Sequence, residues 1–231
     1  MGVPRSWTRT LMDDLADLVK TATAAGWAVG TVELERLRVR ASALGWVEVA
    51  TRKGDGPVSV LRPTPAEEAH PRSLSAVHGL GEQPLHTDGA HMKDPPRFVV
   101  LHAVEPNGTP TLLWSERSKA TNPAYPRIGQ PLRLAGGIFL VHSGGTRFLA
   151  SAYGYREGYR YDPGCMTPAD ERAHEAARYF ASLTSSAYRH EWTEPNQVLV
   201  INNRSALHAR AAVDEADAGR QLTRIVYRVP R

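Results

Sequence analysis

Two short stretches, far apart in the chain, carry side chains that could share a metal ion. The first is His86-Thr87-Asp88, and the second contains His208. On an extended strand, residues two positions apart point to the same face. His86 and Asp88 would then offer an imidazole and a carboxylate side by side. A second imidazole, His208, brought in from a distant strand completes a face of two histidines and one carboxylate. That donor set suits a non-haem Fe(II) centre with three positions of an octahedron left open to small molecules.

The elements that must position these residues change character along the chain. Residues 8–25 place Leu11, Leu15, Leu18 and Val19 at helical spacing, and residues 31–44 read as a second amphipathic helix. From about residue 56 the pattern becomes short and strand-like, with Gly and Pro as punctuation: VSVLRP, SLSAVHGL, PLHTDGAHM, RFVVLHAV and TPTLLWS. GGIFLVHSGG and TRFLASAYG read as a strand pair. Residues 167–183 read as a helix with Thr167 as N-cap and Pro168 at the first helical position. Strands return in QVLVINNRSALHARAAV and RQLTRIVYRV. Helices segregated from a large body of strands predict an α+β protein with a β-sandwich or jelly-roll centre. We expect a single domain over 1–231, with a helical part at 1–45 and a jelly-roll core at 56–231.

The composition excludes several classes. A chain of 231 residues with 42% hydrophobic and 23% charged residues is ordinary for a soluble globular protein. The formal charge of +4 comes with no dense basic run, which argues against nucleic acid as a partner. No apolar run approaches the length of a membrane span, and the N-terminus lacks an apolar secretory core. Cys165 is the only cysteine, so no intrachain disulfide can form. The expected setting is cytoplasmic, with a small-molecule substrate, no nucleic acid and no membrane. The oligomeric state stays open, a homodimer among the alternatives.

The surroundings of the metal-ligand candidates carry more. His86 and Asp88 lie in PLHTDGAHMKDPPRFVVL (84–101), His208 in VLVINNRSALHARAAV (198–213), and GRQLTRIVYR (219–228) follows with Arg220 and Arg224. This arrangement resembles the TauD/TfdA and clavaminate-synthase-like family of Fe(II)/2-oxoglutarate-dependent dioxygenases. There, a His-x-Asp/Glu precedes a "DN-x-x-x-x-H-x-R"-type segment and an Arg-x-x-x-Arg strand. The resemblance covers roughly residues 56–231. It implies a double-stranded β-helix with His86, Asp88 and His208 as catalytic iron ligands. It implies Arg220 on the distal carboxylate of 2-oxoglutarate, a match of planar guanidinium to carboxylate. Thr111 would hydrogen-bond the same carboxylate, with Thr109 as the alternative if the alignment slips by two. Arg224 shares the face of Arg220 and would serve the near carboxylate of the cosubstrate or an acidic group of the substrate. Fe(II), 2-oxoglutarate and O2 are the implied cofactor and cosubstrates. The chain is short for the family, so a more open pocket, or one completed by a dimer, is expected. An Asn at position 202 replaces a frequent Asp.

The implied activity is hydroxylation of an unactivated C–H in a small amino-acid-like or carboxylate-bearing metabolite. Desaturation or cyclisation is the alternative on the same site. Asp88 keeps the carboxylate that halogenases of this group replace, which disfavours halogenation. Two further classes compete: a non-enzymatic jelly-roll metal-binding or sensory protein, and a cupin-type dioxygenase without 2-oxoglutarate. Arg220 and Thr111 argue against the latter, which has no use for a carboxylate clamp. His91, Arg160, Asp162 and Arg224 are the substrate-facing candidates. His70, His78, His102, His142, His174 and His190 read as surface or core residues, Cys165 as a packed small hydrophobe, and Trp114 and Trp192 as core.

Overall fold

The computed structural model describes residues 15–52, 54–71, 73–118, 120–121, 134–154 and 158–230. The elements run α1 (Leu15–Ala25), β1 (Trp27–Thr31), α2 (Leu34–Ala43), β2 (Val47–Glu48), β3 (Val58–Leu61), α3 (Leu74–His78), β4 (Phe98–Ala103) and β5 (Asn107–Trp114). They continue with β6 (Phe139–Ser143), β7 (Thr146–Ala150), β8 (Tyr153–Gly154), β9 (Gly158–Tyr159), β10 (Met166–Pro168) and α4 (Glu171–Ser182). The chain ends on β11 (Tyr188–Trp192), β12 (Gln197–Asn202), β13 (Leu207–Arg210) and β14 (Leu222–Arg228).

The larger sheet has the order β1-β12-β4-β14-β2, with β3 also pairing with β14. Opposite it lie the three-stranded sheets β11-β5-β13 and β10-β6-β7. All pairings are antiparallel. Of the two centres the sequence pattern allows, this is the jelly roll, as the family resemblance implies.

Burial on two sides explains why β4 and β12 read as unbroken apolar runs. Every residue of both strands is buried. The side chains nonetheless alternate. Phe98, Val100, Val198, Val200, Ile225 and Tyr227 pack with Leu15, Leu18 and Leu37 of the two N-terminal helices. Val99, Leu101, Leu199, Ile201, Leu222 and Val226 turn inward and meet Leu113 and Trp192 of the opposite layer. The helices therefore roof one face of the larger sheet. The inward faces form a closed apolar core at one end of the sandwich. A third cluster joins α4 to the smaller sheets through Phe180, Tyr161, Phe139 and Leu207.

The helix expected at 8–25 is α1 over the described residues Leu15–Ala25; 8–14 lie outside them. Three local expectations are corrected. Between the two helices the chain makes a strand, β1, which pairs with β12 from Trp27↔Ile201 to Thr31↔Gln197. The part expected to be helical thus gives the larger sheet its edge strand. Gly26 makes the tight junction possible: its φ is +102°, and a Cβ there would lie 2.6 Å from Ser115 Cβ. SLSAVHGL is not a strand; it contains α3, capped by Ser73, whose side chain accepts from Ala76 N. Thr167 and Pro168 are not the start of a helix but part of β10. The N-cap of α4 is Asp170, in extended backbone geometry, with its carboxylate accepting from Ala173 N at 2.7 Å and from Ile138 N at 3.1 Å.

The cap assignment separates two substitutions. Asp170→Ala should lower stability by about 1 kcal/mol, read as a shift in the urea midpoint. Thr167→Ala should leave the midpoint nearly unchanged; equal losses in both would restore Thr167 as the cap.

Candidate active site

His86 and His208 meet through backbone rather than through a regular strand. His86 N donates to His208 O at 3.0 Å, and His208 N returns to His86 O at 2.9 Å. Gln83 N also donates to Arg210 O at 2.9 Å, so residues 83–86 run antiparallel to β13. Pro84 has no N–H, so the ladder cannot be continuous and only an isolated bridge forms. His86 and Asp88 converge without the regular strand that the sequence suggested.

The next two residues are held by different elements. Thr87 is fully buried and clamped to Tyr161: its N–H donates to Tyr161 O at 2.7 Å, and its Oγ1 accepts from Tyr161 N at 3.0 Å. Asp88 is held by Asn203, whose Oδ1 accepts from Asp88 N at 2.9 Å. Gly89 then turns the chain at φ +70°; a Cβ there would fall 2.7 Å from Pro96 Cδ.

These contacts gather one ligand atom each from His86, Asp88 and His208 to within 4.8 Å of one another. It is the only such cluster of three or more His, Cys, Asp and Glu side chains among the described residues. Asp88 Oδ2 is buried with no hydrogen-bond partner and lies 3.7 Å from His208 Nε2. His86 Nδ1 lies 3.0 Å from the Pro84 carbonyl. Donation to that oxygen fixes the tautomer and leaves Nε2 as a lone-pair donor.

Electrostatics favours the ligand forms. Burial alone would raise the Asp88 carboxyl, but Arg224, His208, His86 and Arg52 outweigh it and hold the group below its usual range. Burial, together with His86 and Arg224 and against the pull of Asp88, pushes His208 down to about 3. The carboxylate is ionised and His208 is neutral, the states in which each binds a metal. An orphaned carboxylate oxygen beside the imidazoles of His86 and His208 fits a divalent cation such as Fe(II).

The cluster lies in a cleft of about 1310 Å³. Thr111, Arg220 and Arg224 also line it; Thr109 does not. Thr109 instead donates its hydroxyl to Asp217, while Thr111 Oγ1 accepts from Trp192 Nε1 at 3.1 Å. Arg220 is buried, and its Nε donates to Asn107 Oδ1 at 3.0 Å. Burial lowers its pKa to about 10, with Asp217 opposing that shift and Arg210 adding to it. Arg224 follows Leu222 on the inward face of β14, as the four-residue spacing from Arg220 implies. Its Nη1 lies 2.9 Å from Asp88 Oδ1, and its Nη2 donates to Thr51 Oγ1 at 3.3 Å. The contact to Asp88 was not foreseen, nor was Thr51.

The substrate-facing candidates separate. His91 lines the cleft, with Nε2 2.8 Å from Thr51 O. Asp162 lines it too, while its Oδ1 accepts from Gly164 N in a turn. Arg160 is not among the lining residues. Its guanidinium donates to the carbonyls of Ala90 at 2.7 Å, Lys93 at 3.0 Å and Met92, behind the loop that carries His91. His70 and His142, expected at the surface or in the core, border the cleft. Cys165 also borders it, half-buried, and burial together with Asp162 pushes its thiol up, which disfavours the nucleophilic thiolate. Trp114 and Trp192 are core residues.

The fold is a jelly roll, and His86, Asp88 and His208 form a group that could hold a metal ion. A model of the taurine catabolism dioxygenase TauD, TfdA family matches residues 117–226, a stretch that carries His208, Arg220 and Arg224. An asparagine oxygenase solved with Fe(II), 2S,3S-3-hydroxyasparagine and succinate has a TM-score of 0.69 at 17% identity, over 94% of this chain and 78% of that one. The non-heme iron oxygenase OrfP, solved with Fe, succinate and (3S)-hydroxy-L-Arg, gives 0.66 at 18% over the same shares. PvcB from Pseudomonas aeruginosa gives 0.60 at 19%, over 91% of this chain and 78% of that one. No curated protein matches at significance. The chain is thus similar to the TauD/TfdA family over residues 117–226 and shares its fold with these oxygenases. No helix among the described residues is long and apolar enough to cross a membrane.

His86→Ala, Asp88→Ala and His208→Ala should each abolish tight binding of Co(II), a spectroscopic stand-in for Fe(II), while circular dichroism stays native. Retained Co(II) affinity in any one of them would remove that residue from the ligand set.

Proposed function

We propose that the chain is an Fe(II)- and 2-oxoglutarate-dependent oxygenase that hydroxylates an unactivated C–H of a small amino-acid-like or carboxylate-bearing metabolite. The observation that carries this reading is the placement of Arg220 and Thr111 in the same cleft as the His86, Asp88 and His208 cluster. A metal site without an organic acid to hold has no need of a buried arginine across the cleft.

His86, Asp88 and His208 hold the iron. Bound iron supplies the oxidising power, in the overall conversion of substrate C–H, O2 and 2-oxoglutarate to C–OH, succinate and CO2. The protein's own residues bind, orient and exclude. Arg220 grips the far carboxylate of 2-oxoglutarate with the planar fork of its guanidinium. Its hydrogen-bond partner Asn107 is neutral, so the incoming dicarboxylate adds a direct countercharge to the longer-range pull of Asp217. Thr111 offers a hydroxyl on the strand opposite. Arg224 is shared between Asp88 and the substrate: one guanidinium edge holds the ligand carboxylate and the other faces Thr51 and the cleft. His91 and Asp162 form the substrate wall.

The neighbours support the substrate class. The structures of the asparagine oxygenase and OrfP hold 3-hydroxylated amino acids together with succinate. Nothing in the cleft favours desaturation or cyclisation over hydroxylation. Nothing favours a purely binding or sensory role. We take the enzyme to be cytoplasmic, to act as a single domain on a small molecule, and to need neither nucleic acid nor membrane.

Reconstitution with Fe(II), ascorbate, O2 and 2-oxoglutarate should release succinate, and a panel of amino acids and their derivatives should contain compounds that accelerate it. An absence of succinate under all conditions would overturn the reading. Arg220→Ala should weaken 2-oxoglutarate by about 2 kcal/mol or more in apparent affinity. An unchanged KM would move the cosubstrate clamp elsewhere. Arg224→Lys keeps the charge and loses the fork, so it should raise the substrate KM more than the 2-oxoglutarate KM. The reverse order would assign Arg224 to the cosubstrate.

A further inference from the structure

Asn203 is 1% exposed and spends its whole side chain on backbone. Oδ1 accepts from Asp88 N at 2.9 Å, and Nδ2 donates to Asp88 O at 2.9 Å and to Pro96 O at 3.0 Å. Its own N–H donates to Arg97 O at 3.0 Å. One residue thus ties both peptide groups of Asp88 and both ends of the loop from Gly89 to Pro96. It does so from the turn that joins β12 to β13, five positions before His208. No regular strand pairing reaches Asp88; the only bridge in its segment stops at His86. The backbone of Asp88 is therefore set by Asn203 on one side and by the Thr87–Tyr161 clamp on the other.

We propose that Asn203 is a positioning residue for the metal site, aiming the Asp88 carboxylate at the two imidazoles and coupling that carboxylate to the segment carrying His208. The inference rests on the assignment of Asp88 as a metal ligand. An amide is suited to the task because it offers an acceptor and two donors in one plane. No other uncharged side chain of that size can meet a backbone N–H and two backbone carbonyls together. Aspartate in its place would keep the acceptor for Asp88 N but set a carboxylate against two carbonyl oxygens.

The test is Co(II) affinity and the Co(II) electronic spectrum of the full chain, beside thermal unfolding of the metal-free protein. The variants are Asn203→Ala and Asn203→Asp. Gln197→Ala is the control: Gln197 is also buried, and its Oε1 accepts from a backbone N–H, that of Thr193 at 2.9 Å, on a strand remote from the cleft. Loss of an outer partner of a ligand weakens metal binding by about 10–100-fold. That loss is expected in both Asn203 variants, with an altered Co(II) spectrum, while Gln197→Ala lowers the melting temperature and leaves Co(II) affinity within twofold. If folded Asn203→Asp binds Co(II) as wild type does, with the same spectrum, the proposal fails. If Gln197→Ala loses as much affinity as the Asn203 variants, the effect is general destabilisation and the proposal fails equally. Should the wild-type chain itself bind no Co(II), the metal assignment fails and takes this inference with it.

Discussion

The site depends on one reciprocal pair of backbone hydrogen bonds, between His86 and His208. Each residue donates to and accepts from the other, so the two imidazoles are brought together before either side chain has chosen a rotamer. The rest of the molecule serves to make that pair possible. β13 is fixed by its ladder with β5, from Leu207↔Trp114 to Arg210↔Thr111. The 83–86 segment is laid along the free edge of β13. Once the pair is made, Thr87 and Asp88 fall against Tyr161 and Asn203, and the loop to β4 has a defined start.

A division of the interior follows from the same geometry. The inward faces of β4, β12 and β14 are apolar where they meet Leu113 and Trp192. Further along, Arg224 of β14 and Thr111 and His208 of the opposite layer line the cleft, beside Arg220 and Asp88. Polar groups gather at the end that opens to the cleft, where a ligand can satisfy them. The closed end carries the hydrophobic stabilisation. Burying Asp88 would be costly if it stood alone; Arg224 at 2.9 Å offsets that cost in the metal-free protein.

Much of this was legible in the chain because it is written in periodicity and residue type. The inward alternation of RQLTRIVYRV places Arg220 and Arg224 on one side, and the structure has both in the cleft. The apolar runs of β4 and β12 signal strands, although their length alone does not reveal that helices cover one face. Other features had no local signal. β1 is five residues with a glycine inside, set between two helices, and only its pairing with β12 makes it a strand. Thr167-Pro168 mimics a helix start, yet Asp170 wins because β10 pairs with β6 up to Pro168↔Phe139. The second Asn of the Asn-Asn pair carries no mark of its bonds to Asp88, which lies 115 residues earlier. The tie of Arg160 to the 90–93 backbone is equally invisible, since arginine in a loop looks the same whether it faces a ligand or a carbonyl.

The ion pair between Asp88 and Arg224 has a consequence for denticity. A carboxylate can bind a cation through one oxygen or through both. Here Oδ1 is committed to a guanidinium, and only Oδ2 is left, buried and facing His208. Chelation by both oxygens would make a cation share Oδ1 with the Arg224 guanidinium, two positive charges on one oxygen. A cation held by these residues would meet Asp88 through Oδ2, with the Arg224 guanidinium left in place on Oδ1.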